Sequence, residues 1–488
     1  MIGSIVQRDG TPNSAEFFFV HDKDVGKGGY VQYEKDGKVI ARIAEVFKAN
    51  QYFEDVEGVS ETLGEDIEKK FPVDEWEVSL AKANIMGKFS ESGRIERVTQ
   101  SPEPGTEIGK ADPDRVREFL GLKQDGLTIG KVQQQEVDAS LDMTDTLQKH
   151  FAILAQSGAG KSYTASVLLE ELLDSEHSPT ILAVDPHGDY TCFGEDKQYM
   201  NRVKVFRDDN ISIAVNSLSA DKIAMFFSEN FSSVQRQELA EVFSNLKRGE
   251  NSDFGIKHLI ERVESKQMDE KTKYSLLRKL NRLNSMGIFG KVNSPNKNDL
   301  EPGKLNILDL SSMINHRKKQ IATAFFGQHF FRLRRQERIP PFLYLLEEAH
   351  NFAPEKAPVP SRSVIEKMAR EGRKFNAAIG LISQRPVKLS TTALSQCNTK
   401  FIMRVTNPND LDHISQSSEG ITKEVTAQIP GLKTGEAITI GEAVNYPTFV
   451  DVRKRRSETG DSGEGLEDTL KQWEEDQEQK EKDAEAFM

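Results

Sequence analysis

Cysteine and long apolar runs are both scarce in this chain, and each scarcity excludes something. Two cysteines, Cys192 and Cys397, lie far apart among 488 residues. That is too few for a disulfide framework, and with nine scattered histidines too few for a Cys/His metal centre. Both are expected as reduced thiols of a cytoplasmic protein. The longest apolar runs are about six residues or fewer, as in FLYLL at 342–346. A bilayer span needs roughly 20, so no membrane segment is predicted, and no charged-then-apolar leader opens the chain. A general excess of positive charge is also missing, since the net charge is −12. Residues 457–488 hold twelve Asp/Glu against three Lys, so most of that charge sits in the tail. The near-neutral body can still carry a basic surface or channel.

A chain of this length predicts more than one domain. Residues 1–100 read as a small β-barrel. AEFFFV (15–20), GYVQYEKDGKVIARI (29–43) with a turn at Asp36-Gly37, EWEVSLAKANIMGKF (75–89) and GRIERV (93–98) are short, aromatic and β-branched. SPEPG (101–105) then marks a linker, taken as 101–134. An α/β core is predicted over 135–455. HFAILA (150–155), TILAVD (180–185), KLNILDL (304–310), PFLYLLE (341–347), AAIGLIS (377–383) and KFIMRV (400–405) are apolar strands separated by helical stretches. Uninterrupted apolar strands imply a parallel sheet covered on both faces. Between about 218 and 300 the period is helical, with Leu239, Val242, Phe243 and Leu246 on one face and Leu276, Leu280 and Leu283 on another. This is a helical insertion. Residues 456–488 read as an acidic extension.

The strongest chemical signal is AQSGAGKS, Ala155 to Ser162, between a strand and the helical stretch opening at Tyr163. Glycines let successive backbone N–H groups turn toward a phosphate at the positive end of a helix. The predicted cradle is Ala155, Ser157, Gly158, Ala159, Gly160, Lys161, Ser162 and Tyr163. Lys161 would reach the β- and γ-phosphates of ATP, and the Ser162 hydroxyl would ligate Mg²⁺. PFLYLLEEAHNFAP delivers two carboxylates to a strand end, with Glu347 expected at the metal and Glu348 as the base that polarises water. GLISQRP ends another strand with Gln384, a candidate γ-phosphate sensor, although a turn at Pro386 also accounts for it. In KMAREGRKF (367–375), Arg370, Arg373 and Lys374 form a basic helix end suited to transition-state charge, or simply to solvent. In DPHGDY (185–190), Asp185 and His187 either meet the nucleotide or close a tight turn. FRLRRQER (331–338) is either a nucleic-acid-facing surface or a solvated helix face.

In order and spacing, AQSGAGKS, DPHGDY, EEAHNFAP, REGRK and SQRP resemble the HerA-type DNA translocases of archaea, and the first hundred residues resemble that family's HAS barrel. The resemblance covers about residues 1–455. It implies a RecA-like P-loop core with a docking barrel, assembled as a homo-hexamer. It further implies an ATP-driven translocase or helicase on double-stranded DNA, partnered by a NurA-type nuclease in end resection. By the same resemblance Glu348 is catalytic, and Arg373 reaches the neighbouring subunit's site. Lys149 departs from the arginine common in the family, which puts a bidentate phosphate contact there in doubt. Two other readings fit the residues: an FtsK-like, packaging or conjugation pump, and a nucleotide-gated scaffold that loads a nuclease without moving DNA.

Overall fold

The computed structural model describes residues 1–8, 12–22, 25–35, 37–50, 77–90, 93–227, 231–248, 254–458 and, beyond these, 470, 471, 473 and 477. Asp36 of the expected turn and nearly all of the acidic extension lie outside the described residues. Two compact units divide the chain, one of Met1–Ser175 with Glu348–Lys454, the other of Glu176–Glu347 with Arg455–Met488.

The first unit opens with β1 (Gly3–Val6), β2 (Glu16–His21), β3 (Tyr30–Glu34), β4 (Lys38–Asn50), β5 (Glu77–Phe89), β6 (Ile95–Glu96) and β7 (Glu107–Lys110). Six of them run β2-β1-β7-β3-β4-β5, and β5 returns to pair with β2, which closes an antiparallel barrel. Alternation drives the closure: Phe17 and Phe19 of β2 are fully buried with Val31, Tyr33, Ala41 and Ile108, while Phe18 between them faces out of the barrel core. The 101–134 segment, expected as a linker, carries structure. β7 completes the barrel between β1 and β3, and α1 (Pro113–Leu120) follows, capped by Asp112 and closed by Gly121 at φ 77°. A four-residue strand with one buried apolar side chain carries too little pattern to be read in advance.

The same unit continues with β8 (Leu127–Val132), β9 (Asp138–Leu141), β10 (Phe151–Leu154) and α2 (Lys161–Asp174). Helix α2 is braced by Arg453, whose guanidinium meets Glu170 and Glu171 at 2.7 Å each and the Thr128 carbonyl at 3.0 Å.

The second unit holds β11 (Thr180–Asp185), β12 (Val203–Phe206), β13 (Ile213–Ala214), α3 (Ala220–Met225), α4 (Ser233–Arg248), α5 (Ile256–Ser265), α6 (Glu270–Asn284), β14 (Phe289–Gly290), β15 (Leu305–Asp309), α7 (His316–Arg335) and β16 (Phe342–Leu346). Strands β12-β15-β11-β16 are parallel throughout, and helices α3 to α6 are the predicted insertion.

Back in the first unit, α8 (Pro360–Glu371), β17 (Ala377–Ser383), β18 (Thr399–Ile402), β19 (Glu436–Ile440) and β20 (Thr448–Val452) complete the sheet. There β17, β10 and β18 are parallel, while β19, β20, β8 and β9 extend the sheet antiparallel. All six apolar runs of the core are strands, and within each unit they pair with one another only in parallel, while β18 also takes β19 as an antiparallel neighbour.

Candidate nucleotide site

Strand β10 ends at Leu154 between two parallel neighbours, and both hold the loop that follows. Ala155 N–H donates to the Ser383 carbonyl at 3.2 Å and Gln156 N–H to that of Arg404 at 2.9 Å. The turn back into α2 needs left-handed backbone at Gly158 (φ 75°) and Gly160 (φ 100°). At Gly160 a Cβ would also come within 3.3 Å of Met403 Cε, whereas Gly158 faces open space. Ala155 and Ala159 are fully buried, so their methyls fill the loop's inner side, while Ser157 is exposed and Tyr163 half-buried. Lys161 and Ser162 start α2, where unpaired N–H groups and the helix dipole favour an anion.

Glu348 follows β16 in left-handed backbone, φ 50° and ψ 47°, a conformation that costs a non-glycine residue about 1 kcal/mol or more. The turn aims its carboxylate at the loop. Lys161 Nζ lies 3.0 Å from Glu348 Oε1 and 3.3 Å from Ser162 Oγ. Glu348 is 2% exposed, and its Oε2 has no hydrogen-bond partner among the described residues. His350 Nδ1 comes within 3.2 Å of that oxygen but is aligned instead with Ser383 Oγ at 3.0 Å. Burial depresses the His350 pKa; Glu348 opposes that shift, and Arg385, Lys388 and Lys161 add to it. The imidazole is therefore neutral at neutral pH. Ser383 Oγ also accepts the Arg385 N–H at 3.1 Å, so the β17 end, the Glu348 turn and the loop share one network. Gln384, next along, is half-buried and Arg385 exposed. The sequence reading passed over His350 and Ser383, although the EEAH string placed a histidine two residues from the acid.

The remaining candidates lie in the second unit. Asp185 is buried, and its carboxylate accepts four backbone N–H groups, from His187 (3.2 Å), Gly188 (2.7 Å), Asp189 (3.1 Å) and Tyr190 (2.8 Å). The tight turn thus accounts for both of its oxygens, while His187 is exposed. Glu347 is fully buried and accepts the Tyr190 hydroxyl. Burial, then the charge of Glu347, pushes the Tyr190 pKa well up, so the phenol stays a donor. The two consecutive acids thus have different surroundings, Glu347 a hydroxyl partner and Glu348 a lysine and an open lone pair.

A glycine loop at a helix start, facing a lysine and a buried carboxylate oxygen without a partner, fits a magnesium nucleotide: the anion meets N–H groups and Lys161, and the open oxygen can accept a water proton. A family model described as the central domain of helicase HerA matches residues 127–328. The DNA double-strand break repair helicase HerA of Pyrococcus furiosus is 27% identical, with 94% of each chain covered. Its namesake from Sulfolobus acidocaldarius is 25% identical over 98% of each. The chain is similar to the HerA helicases over nearly its whole length. In fold it is similar to VirB4 of Thermoanaerobacter pseudethanolicus (TM-score 0.56, 14% identity, 68% of this chain and 97% of that one). It is similar too to the bacterial conjugative coupling protein TrwB (TM-score 0.52, 12% identity, 72% and 93%).

In this chain the REGRK segment forms the end of α8 and a 3₁₀ turn at Gly372–Phe375. Arg370 and Arg373 are both exposed. The segment is held from beneath by His150, whose Nε2 lies 2.9 Å from the Ala369 carbonyl and whose Nδ1 accepts the Ile379 N–H at 3.1 Å. Accepting at Nδ1 fixes the proton on Nε2. Burial holds the His150 pKa down at about 4, so the folded state prefers the neutral ring. The stability this contributes is complete above the unfolded value, near 6.5, and is lost as pH falls toward about 4. That is about 3 kcal/mol across the window. Urea unfolding at pH 7 and pH 4.5 should show the loss, and His150→Gln should flatten it; an unchanged pH dependence in the variant refutes the assignment. Lys149 beside it pairs with Glu442.

Proposed function

We propose that this chain is an ATP-driven translocase or helicase on double-stranded DNA, acting with a nuclease of the NurA type at broken DNA ends and assembled as a hexameric ring. The observation that carries the ATPase is the meeting of Lys161 and Glu348 at the start of α2, with one buried carboxylate oxygen unpaired. The DNA-repair role rests on the names of the relatives, which match over nearly the whole chain.

Bound Mg-ATP supplies the phosphoryl bond whose hydrolysis drives movement. Lys161 and N–H groups of the loop between Ser157 and Tyr163 would hold the phosphates, and Ser162 would contact the ion. Glu347, buried against Tyr190, would be the acid that orders the ion's water shell. Glu348 takes a proton from the attacking water through its unpaired oxygen, and Gln384, at the end of the strand beside the loop, senses the γ-phosphate. With Asp185 committed to its turn, His187 is the DPHGDY side chain left to meet a ligand.

Arg373 acts on the next subunit. Strand β17 runs parallel to β10, with Phe151 opposite Gly380 and Leu154 opposite Ser383. Arg373 precedes the first residue of β17, while the loop follows the last residue of β10. The seven residues of β17 separate these two edges by ~20 Å, beyond an arginine's reach. A head-to-tail ring brings one subunit's edge to the next subunit's loop. ATP hydrolysis measured with and without a blunt duplex tests the motor: severalfold stimulation is expected, and a rate indifferent to DNA overturns it.

A further inference from the structure

Helix α7 is an anomaly in an acidic protein. Its twenty residues carry six Lys/Arg and no Asp or Glu, in a chain of net charge −12. Its C-terminal turn brings Arg332 out to solvent, with Nη2 3.5 Å from His329 Nδ1, and Arg338 follows just beyond, also exposed. Two further cations come from other elements of the same unit. Lys222 of α3 is half-buried, and Lys247 is exposed in the last turn of α4, its ammonium on the Leu218 carbonyl at 3.0 Å, just before α3.

These groups repel one another. His329 is held down at about 4 by burial and then by Arg332, Lys222 and Arg338. Lys222 is held at about 8 by burial and then by Arg332 and Lys247. Among the described residues, no carboxylate figures in the charges acting on either group. Asp221, the nearest acid in sequence to Lys222, is turned toward Arg236 at 3.6 Å. A helix C-terminus favours cations by its dipole, and Arg332, Lys247 and Lys222 each fall in the last turn of their own helix, but the dipoles do not account for three helices bringing their cations together. Like charges gathered in this way destabilise the fold unless an anion joins them. Guanidinium, ammonium and imidazole N–H groups together match phosphate oxygens, and an insertion between strands can present them without disturbing the core.

We propose that Lys222, Lys247, His329, Arg332 and Arg338 form a phosphate-contacting surface for the backbone of duplex DNA, read without regard to sequence. The inference rests on the proposed DNA motor and adds a place where the polymer is held.

The test is the salt dependence of binding, by fluorescence anisotropy of a labelled blunt duplex across 50–200 mM salt, roughly the range in which counterion release is read. Lys222→Gln/Arg332→Gln/Arg338→Gln should lower the slope of log affinity against log salt by about 2–3 and weaken binding at least ~10-fold at the low end. Its melting temperature should hold or rise, because repulsion has been removed. Should the half-buried Lys222 prove needed for folding, Arg332→Gln/Arg338→Gln alone should lower the slope by about 2. Lys257→Gln/Lys271→Gln/Lys297→Gln, three exposed cations of the same unit, should move the slope less than half as much. An unchanged slope in both cluster variants, or an equal change in the control, overturns the surface. A parent protein that does not bind duplex at any salt overturns the motor reading first, and this surface with it.

Discussion

Glu348→Gln should bind ATP at least as tightly as the parent and hydrolyse it ~100-fold or more slowly. The amide keeps the size of the side chain and an oxygen for Lys161, so the left-handed turn and the loop contact survive. What is lost is the basic oxygen with no other partner. Removing the negative charge also releases Lys161 toward phosphate, which is why affinity should hold or rise. Lys161→Ala should differ in every respect. It removes the cation that the phosphates need, so nucleotide affinity and turnover fall together. It also strands a buried carboxylate, at a cost of roughly 1–3 kcal/mol. The double variant, Lys161→Ala with Glu348→Gln, should recover much of that stability and none of the activity. Filter binding, phosphate release and urea unfolding read the three quantities separately. Normal hydrolysis by Glu348→Gln together with a dead Glu347→Gln would reverse the assignment of the two acids.

The second large effect concerns Arg373. As γ-phosphate leaves, charge builds on its equatorial oxygens, and a guanidinium can meet two of them at once. Such a finger is worth ~10³-fold or more in rate, so Arg373→Ala should be nearly inactive while binding ATP normally. Its position at the far edge of β17 from its own loop makes the effect one between subunits. Mixing supplies the decisive measurement. Arg373→Ala and Lys161→Ala subunits are each inactive alone, but a mixed ring contains interfaces where an intact loop faces an intact finger. Part of the ATPase rate should return on mixing. Hydrolysis at full rate by a verified monomer would exclude a trans-acting arginine.

Some of this protein was determined by the sequence alone. The loop AQSGAGKS was legible because its chemistry is contiguous: two left-handed glycines, a lysine and a serine must be neighbours to serve one phosphate chain. The six core strands were legible because a strand buried on both faces has to be apolar without interruption. Neither rule reaches β7, β8, β9, β19 or β20, which are short or partly polar and exist because a neighbouring strand offers hydrogen bonds. Only the tertiary structure separated Glu347 from Glu348. Consecutive acids look alike on paper, and the left-handed turn at Glu348 sends one to Tyr190 and the other to Lys161. It likewise committed Asp185 to a turn through four amides, set His150 beneath the arginine segment from more than two hundred residues away, and gathered Lys222, Lys247 and Arg332 from three helices. Interactions of that kind depend on distances through space between residues remote in the chain, and local pattern carries no record of them.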